Sequence, residues 1–133
     1  MNTRTSANEN VVGQMIAVFP NPPSIDLART LDLAGYRWKA VSSADDAAKS
    51  EPVEGWAGAV VMCDEDPEGG WAICRSLRKN DNPVGHVLVL VSGAQLADLE
   101  MRDDLFDDFC LSPFHPRELE SRLRHMFFTE IRG

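Results

Sequence analysis

The sequence predicts an α/β protein: a doubly wound, five-stranded parallel sheet with helices on both faces. Three observations carry this. Strand-like and helix-like stretches alternate five times between Met15 and Phe127. Three strand candidates, Met15–Phe19, Ala59–Cys63 and His86–Val91, are apolar throughout rather than at alternate positions. That pattern belongs to strands buried on both faces, hence to a parallel sheet covered by helices. Right-handed crossovers between such strands then give a two-sided sandwich.

Each element has its own signal. Met15-Ile-Ala-Val-Phe19 reads as a buried strand, and Pro20-Asn-Pro-Pro23 forces a loop, because prolines fix φ and remove donors. Ser24 caps a helix running to about Ala34, with Asp26 in its first turn, one face of Leu27, Leu31 and Ala34, and Gly35 as its stop. Tyr36–Val41 alternates and reads as a half-buried strand. Ser42 with Asp45 opens a short helix over 43–50. After the apolar run 59–63, residues 68–80 are helical by pattern, with Trp71, Cys74 and Leu77 on one face, until Asp81-Asn-Pro83 breaks them. Ser92-Gly-Ala-Gln95 reads as a capping box for a helix over 94–104. Asp108–Leu111 is a short strand, Pro116 sits at a helix N1 position, and Leu119, Leu123, Met126 and Phe127 give the last helix an apolar face.

Composition narrows the function. The chain has 133 residues, 13 Lys+Arg against 21 Asp+Glu, and a net charge of −8. One domain of that length can bury a core without staples, and an acidic domain without a basic stripe is a poor nucleic-acid binder by itself. The longest strongly apolar run, 86–91, is far too short to cross a bilayer. Residues 1–12 read as a polar tail without the apolar stretch of a signal peptide. Cys63, Cys74 and Cys110 have no framework spacing, which suits free thiols in a cytoplasmic protein. In a doubly wound sheet the site lies at the carboxyl ends of the strands. Those positions are Phe19 to Asn21, Cys63 to Asp66, Ser92 and Gly93, and Ser112 and Pro113.

The stretch Asp107-Asp-Phe-Cys-Leu-Ser-Pro-Phe-His-Pro-Arg-Glu-Leu119 resembles the Asp-Asp-Tyr-Leu-Thr-Lys-Pro-Phe-x-Pro-x-Glu-Leu pattern of response-regulator receiver domains. Val89-Leu-Val-Ser-Gly93 is similar to their fourth strand with its hydroxyl residue, and Ala34-Gly-Tyr36 and Cys74-Arg-Ser-Leu-Arg78 to the ends of their first and third helices. The resemblance covers about residues 14–128, within a domain of 13–130. It implies a flavodoxin-like, CheY-like fold with strand order 2-1-3-4-5 and a cis Ser112–Pro113 bond.

The resemblance also implies a phosphate-accepting aspartate, a Mg²⁺ ion held by carboxylates, a Lys and a hydroxyl. A carboxylate attacks the phosphoryl group while cations neutralise the developing charge. Ser92 supplies the hydroxyl, but Ser112 stands where the Lys belongs, and Phe19, Pro20 and Asn21 stand where the acidic pair belongs. The strand pattern puts Cys63 at the acceptor position; a shortened following loop puts Asp64 there. Asp64-Glu-Asp66 reads either as a displaced metal site or as a solvated loop at a helix start, and Cys63 either as a redox sensor or as a small buried hydrophobe. His86, His115 and His125 lack metal-ligand spacing, and no nucleophile-elbow motif surrounds Ser92 or Ser112.

These departures make a degenerate pseudo-receiver the expected reading, similar to orphan regulators of the GlnR type, with no enzymatic activity of its own and no cofactor. It would signal by homodimerising through the fourth helix, fifth strand and fifth helix. Arg102, Asp107, Asp108, Glu118 and Arg122 match charged interface positions of OmpR-type receivers, and Phe109 matches the family's switch aromatic. Glu118 and Arg122, four apart on one helix face, can equally pair with each other. Residues 131–133 then begin a linker to a DNA-binding effector outside this chain, for transcription control. Two alternatives stand beside it: Asp64 accepting phosphate from a His kinase with Mg²⁺, or a small-ligand sensor using a pocket lined by Phe19, Asn21, Cys63, Ser92 and Ser112.

Overall fold

The computed structural model describes residues 14–132, with side chains through Phe127. The polar tail expected over 1–12, together with Gly133, lies outside the described residues. Strands β1 (Met15–Phe19), β2 (Arg37–Ala40), β3 (Gly58–Met62), β4 (Val87–Val91) and β5 (Asp108–Leu111) form one sheet in the order β2-β1-β3-β4-β5. Every pairing is parallel, with Ile16 beside Gly58, Ala59 beside Val87 and Leu88 beside Asp108. The fold class and strand order are those expected. The three inner strands are buried almost throughout, and edge strand β2 alternates, as its sequence does.

The helices are α1 (Ile25–Leu33), α2 (Ala44–Ser50), α3 (Pro67–Lys79), the 3₁₀-wound α4 (Gly93–Leu105) and α5 (Pro116–Arg132). On one sheet face Leu27 and Leu31 of α1 pack with Leu119, Leu123 and Phe127 of α5 over Ile16, Val18, Val60, Leu88 and Leu90. On the other, Trp71, Ile73, Cys74 and Leu77 of α3 and Leu99 of α4 cover Ala17, Val61, Val89 and Val91. Each fully buried leucine contributes roughly 2 kcal/mol of apolar transfer.

Local chemistry sets the boundaries. Ser24 Oγ accepts from Leu27 N at 3.1 Å and starts α1. Gly35, at φ 87°, ends it: Gly35 N donates to Asp32 O and Tyr36 N to Leu31 O, a Schellman closure that favours glycine. At α2 the cap falls one residue later than expected. Ser43 Oγ accepts from Asp46 N, and Asp46 Oδ2 accepts from Ser42 N at 2.8 Å, so Asp46 rather than Asp45 closes the turn. β3 stops at Met62, one residue early, because Cys63 N turns back to Val61 O. α5 continues through 131 and 132, which the sequence assigned to a linker.

The largest departure is α4, expected as an α-helix over 94–104. Only Leu99 and Leu105 of this segment are buried. The segment is two 3₁₀ stretches that meet at Arg102, one carrying Leu99 and the other Leu105. The non-helical backbone at Arg102 (φ −119°, ψ 22°) separates the two, and both leucines reach the core. The capping box forms by its return half: Ser92 N donates to Gln95 Oε1 at 2.7 Å, while the Ser92 hydroxyl makes no cap bond.

Candidate functional site

The carboxyl edge of the sheet collects the residues singled out from sequence, but they are used differently from one another. Phe19 ends β1 and is 3% exposed. Its ring lies over the first turn of α3: a Cβ at Gly69 would sit 2.9 Å from Phe19 Cζ. The same Gly69 donates its N–H to Asp66 Oδ1 at 3.1 Å, making Asp66 the N-cap of α3. The absence of a side chain at Gly69 is what lets ring and cap meet there. Asn21 is exposed, and the Phe19–Pro20, Asn21–Pro22 and Ser112–Pro113 bonds are all cis, the last as the resemblance implied.

Cys63 is wholly buried, and its Sγ would meet a Cβ at Gly70 at 2.9 Å. The neighbouring Cys74 thiol, followed by burial, pushes the Cys63 pKa far up, so it stays a neutral thiol. Phe19 and Cys63 thus turn into the core rather than toward an open pocket. Asp64 follows, its N–H bonded to Leu90 O at 3.0 Å. Its Oδ1 is buried with no hydrogen-bond partner among the described residues.

Gln95 ties this edge together. While its Oε1 takes Ser92 N, its Nε2 donates to Cys63 O at 3.1 Å, so one amide joins the ends of β3 and β4. The sequence flagged Gln95 only as a cap; the tie to Cys63 needed the register of two strands. Ser112 N donates to Val91 O, which continues the β4–β5 ladder. His115 Nδ1 accepts from Arg117 N at 3.1 Å at the start of α5, and His86 packs edge-on against Phe127.

The charged positions expected at a dimer face are engaged within the chain. Arg122 donates to Asp108 Oδ1 and Glu118 Oε2, both at 3.1 Å. Burial works against its charge, but Glu118 and Asp108 outweigh it and hold the Arg122 pKa above its usual value. The Arg122 guanidinium stands 5.9 Å above the half-buried ring of Phe109. Asp107 Oδ2 accepts from Arg78 Nη2 and from Val87 N, each at 2.8 Å, and is a strut between α3, β4 and β5. Arg102 lies over the Trp71 ring, 4.8 Å from its centre.

Among the described residues, no group of three His, Cys, Asp or Glu side chains is placed to hold a metal ion. Asp66, one candidate ligand, is committed to its cap, and the end of β1 offers Phe19, Pro20 and Asn21 in place of carboxylates. These residues do not fit Mg²⁺, which favours converging oxygen ligands.

No family model matches the sequence. Solved structures do match its shape. The receiver domain of a sensor histidine kinase from Pseudomonas aeruginosa, with a magnesium ion coordinated in its active-site cleft, superposes at TM-score 0.69 with 21% identity, covering 86% of this chain and 97% of that one. This chain has the receiver fold. The response regulator DrrB, an OmpR/PhoB homologue of Thermotoga maritima, matches at TM-score 0.68 and 22% identity over 88% of this chain and 54% of its own. NtrX from Brucella abortus matches at 0.70 and 15% over 87% and 27%. In all three the receiver fold is one part of a longer protein: a domain of a sensor kinase in the first, and 54% and 27% of the chain in the others.

Proposed function

We propose that this chain is a pseudo-receiver: a signalling domain acting by protein contact, without conventional aspartate phosphorylation. One observation carries the reading. The end of β1 presents the buried Phe19 ring, packed on Gly69, where metal-assisted phosphoryl transfer needs carboxylates around a cation. The contact surface in this reading is the face of α4, β5 and α5, where Leu96, Met101 and Leu111 are exposed beside the Asp108–Arg122–Glu118 cluster. Two copies held there about a two-fold axis would set the spacing of two attached effectors. An effector in a longer cytoplasmic chain, reading DNA to control transcription, fits the way DrrB and NtrX extend beyond the matched part. In this reading the domain itself touches neither nucleic acid nor membrane. No helix among the described residues is long and apolar enough to cross a membrane.

A second reading has one observation in its favour. The buried, unpartnered Oδ1 of Asp64 is an unmet acceptor, and such groups call for an explanation. Asp64 would then attack the phosphoryl group of a kinase's phosphohistidine, forming an acyl phosphate as the P–N bond breaks and the imidazole leaves. Intact mass after incubation with Mg²⁺ and acetyl phosphate separates the two, on wild type and Asp64→Asn side by side. The pseudo-receiver reading expects no adduct. One added phosphoryl group on wild type, absent from the variant, would replace it with the second reading.

A further inference from the structure

The cleft between α3 and α4 has no part in either reading. Its volume is about 430 Å³, within the range of small-molecule sites. Glu68, Trp71 and Arg75 line it from α3, and Gln95, Asp98 and Arg102 from α4. Glu68, Trp71 and Arg75 have the spacing i, i+3, i+7, one face of α3, and Gln95 and Asp98, three apart, share a face of the 3₁₀ turn before the break at Arg102. Two cross-contacts fix their relation. Gln95 reaches Cys63, just before α3, and Arg102 reaches Trp71 inside α3. The pairings advance together, so the two helices run in the same direction.

That direction sorts the charges. Glu68 and Asp98 lie toward one end of the cleft, and Arg75 and Arg102 toward the other. Along α3 the step from Glu68 to Arg75 is about 10 Å; along α4 the step from Asp98 to Arg102 is about 8 Å. Trp71 lies between, 5% exposed and with the Arg102 guanidinium 4.8 Å from the centre of its ring. Among the described residues Glu68, Arg75 and Asp98 have no ion pair, whereas Lys49, Arg78, Arg122 and Arg124 all do. The cleft thus holds open charges of both signs, separated along its length.

We propose that it binds a small, elongated zwitterion, with the ammonium at Glu68 and Asp98, the carboxylate at Arg75 and Arg102, and the aliphatic chain along the cleft between them. A ligand spanning both rows would fasten α4 to α3. The test is titration calorimetry with 6-aminohexanoate, compared with hexylamine, hexanoate and glycine. We expect saturable binding of 6-aminohexanoate with a dissociation constant on the order of 1 mM. The three comparison compounds should bind at least about tenfold more weakly. Arg75→Gln and Asp98→Asn alter exposed side chains and should keep the wild-type melting temperature while each weakens binding about tenfold. No saturable binding of the probe would overturn the proposal. So would hexylamine or hexanoate binding as tightly, or binding unchanged in both variants.

Discussion

Asp107 was expected at a dimer face and is found as an internal strut, so its substitution separates the two roles. In Asp107→Ala the Val87 N–H, at the buried start of β4, loses its acceptor, and Arg78 loses its ion pair. An unsatisfied buried N–H costs about 1–3 kcal/mol. The ion pair is partly exposed, at 21% for Arg78 and 37% for Asp107, so solvent screening limits it to at most about 1 kcal/mol. Together the loss is about 1–4 kcal/mol. Asp107→Asn keeps an acceptor for Val87 N and drops only the charge, for about 1 kcal/mol or less. At roughly 3–5 °C per kcal/mol for a domain of this size, Ala should lower the melting temperature by about 3–20 °C and Asn by no more than about 5 °C. Melting followed by circular dichroism at one fixed protein concentration measures both, because association would otherwise shift the midpoint. Sedimentation of the two variants should match wild type. An alanine variant melting within about 2 °C of wild type, or a changed sedimentation profile at unchanged stability, would refute the strut and return Asp107 to the interface.

Two further outcomes are expected. Arg122→Glu places a third negative charge beside Asp108 and Glu118, so a wild-type dimer using this face should shift toward monomer in sedimentation velocity; an unchanged dimer, or a monomeric wild type, would count against the interface. Tyr36, the single tyrosine, has its pKa raised by burial from 10.0 to about 12. Because the folded value lies above the unfolded one, this contribution is fully present below about pH 10 and is lost as pH rises toward 12, amounting to roughly 2–3 kcal/mol. Tyrosinate absorbance should therefore rise together with unfolding, and a phenol titrating near its ordinary value in the folded protein would refute this.

The sheet was legible because a parallel strand buried on both faces writes itself as an uninterrupted apolar run, as in Val87–Val91. Local caps were legible for the same reason of proximity: Ser24, Gly35 and Pro116 act within a few residues of themselves. The strand-end positions of the candidate site followed from topology alone. What each side chain does there did not follow, because its partner is distant in sequence. Asp107 meets Arg78 from 29 positions away and Gln95 meets Cys63 from 32. Phe19 seats on Gly69, on a different element. The winding of α4 was hidden for another reason. Its Ser92 and Gln95 signals are those of an ordinary α-helix, and nothing local in the sequence marks the break at Arg102 between the buried Leu99 and Leu105.

The same edge shows how the strand ends of this receiver fold are held. In a doubly wound sheet the strand ends are joined only by loops, and something must hold those loops in place. Here apolar packing, an amide tether and a carboxylate cap hold them. The Phe19 ring presses on the first turn of α3, whose Gly69 N–H is already capped by Asp66. The Gln95 amide fastens the turn after β4 to the carbonyl ending β3, and Arg78 with Asp107 fastens the opposite end of α3 to the start of β4. Neither the Phe19 contact nor the Gln95 tether depends on a bound cation or on the charge state of Asp64. Substituting Asp64 should therefore leave the shape of this edge intact, and it is through shape that the proposed contact surface on α4, β5 and α5 would be read.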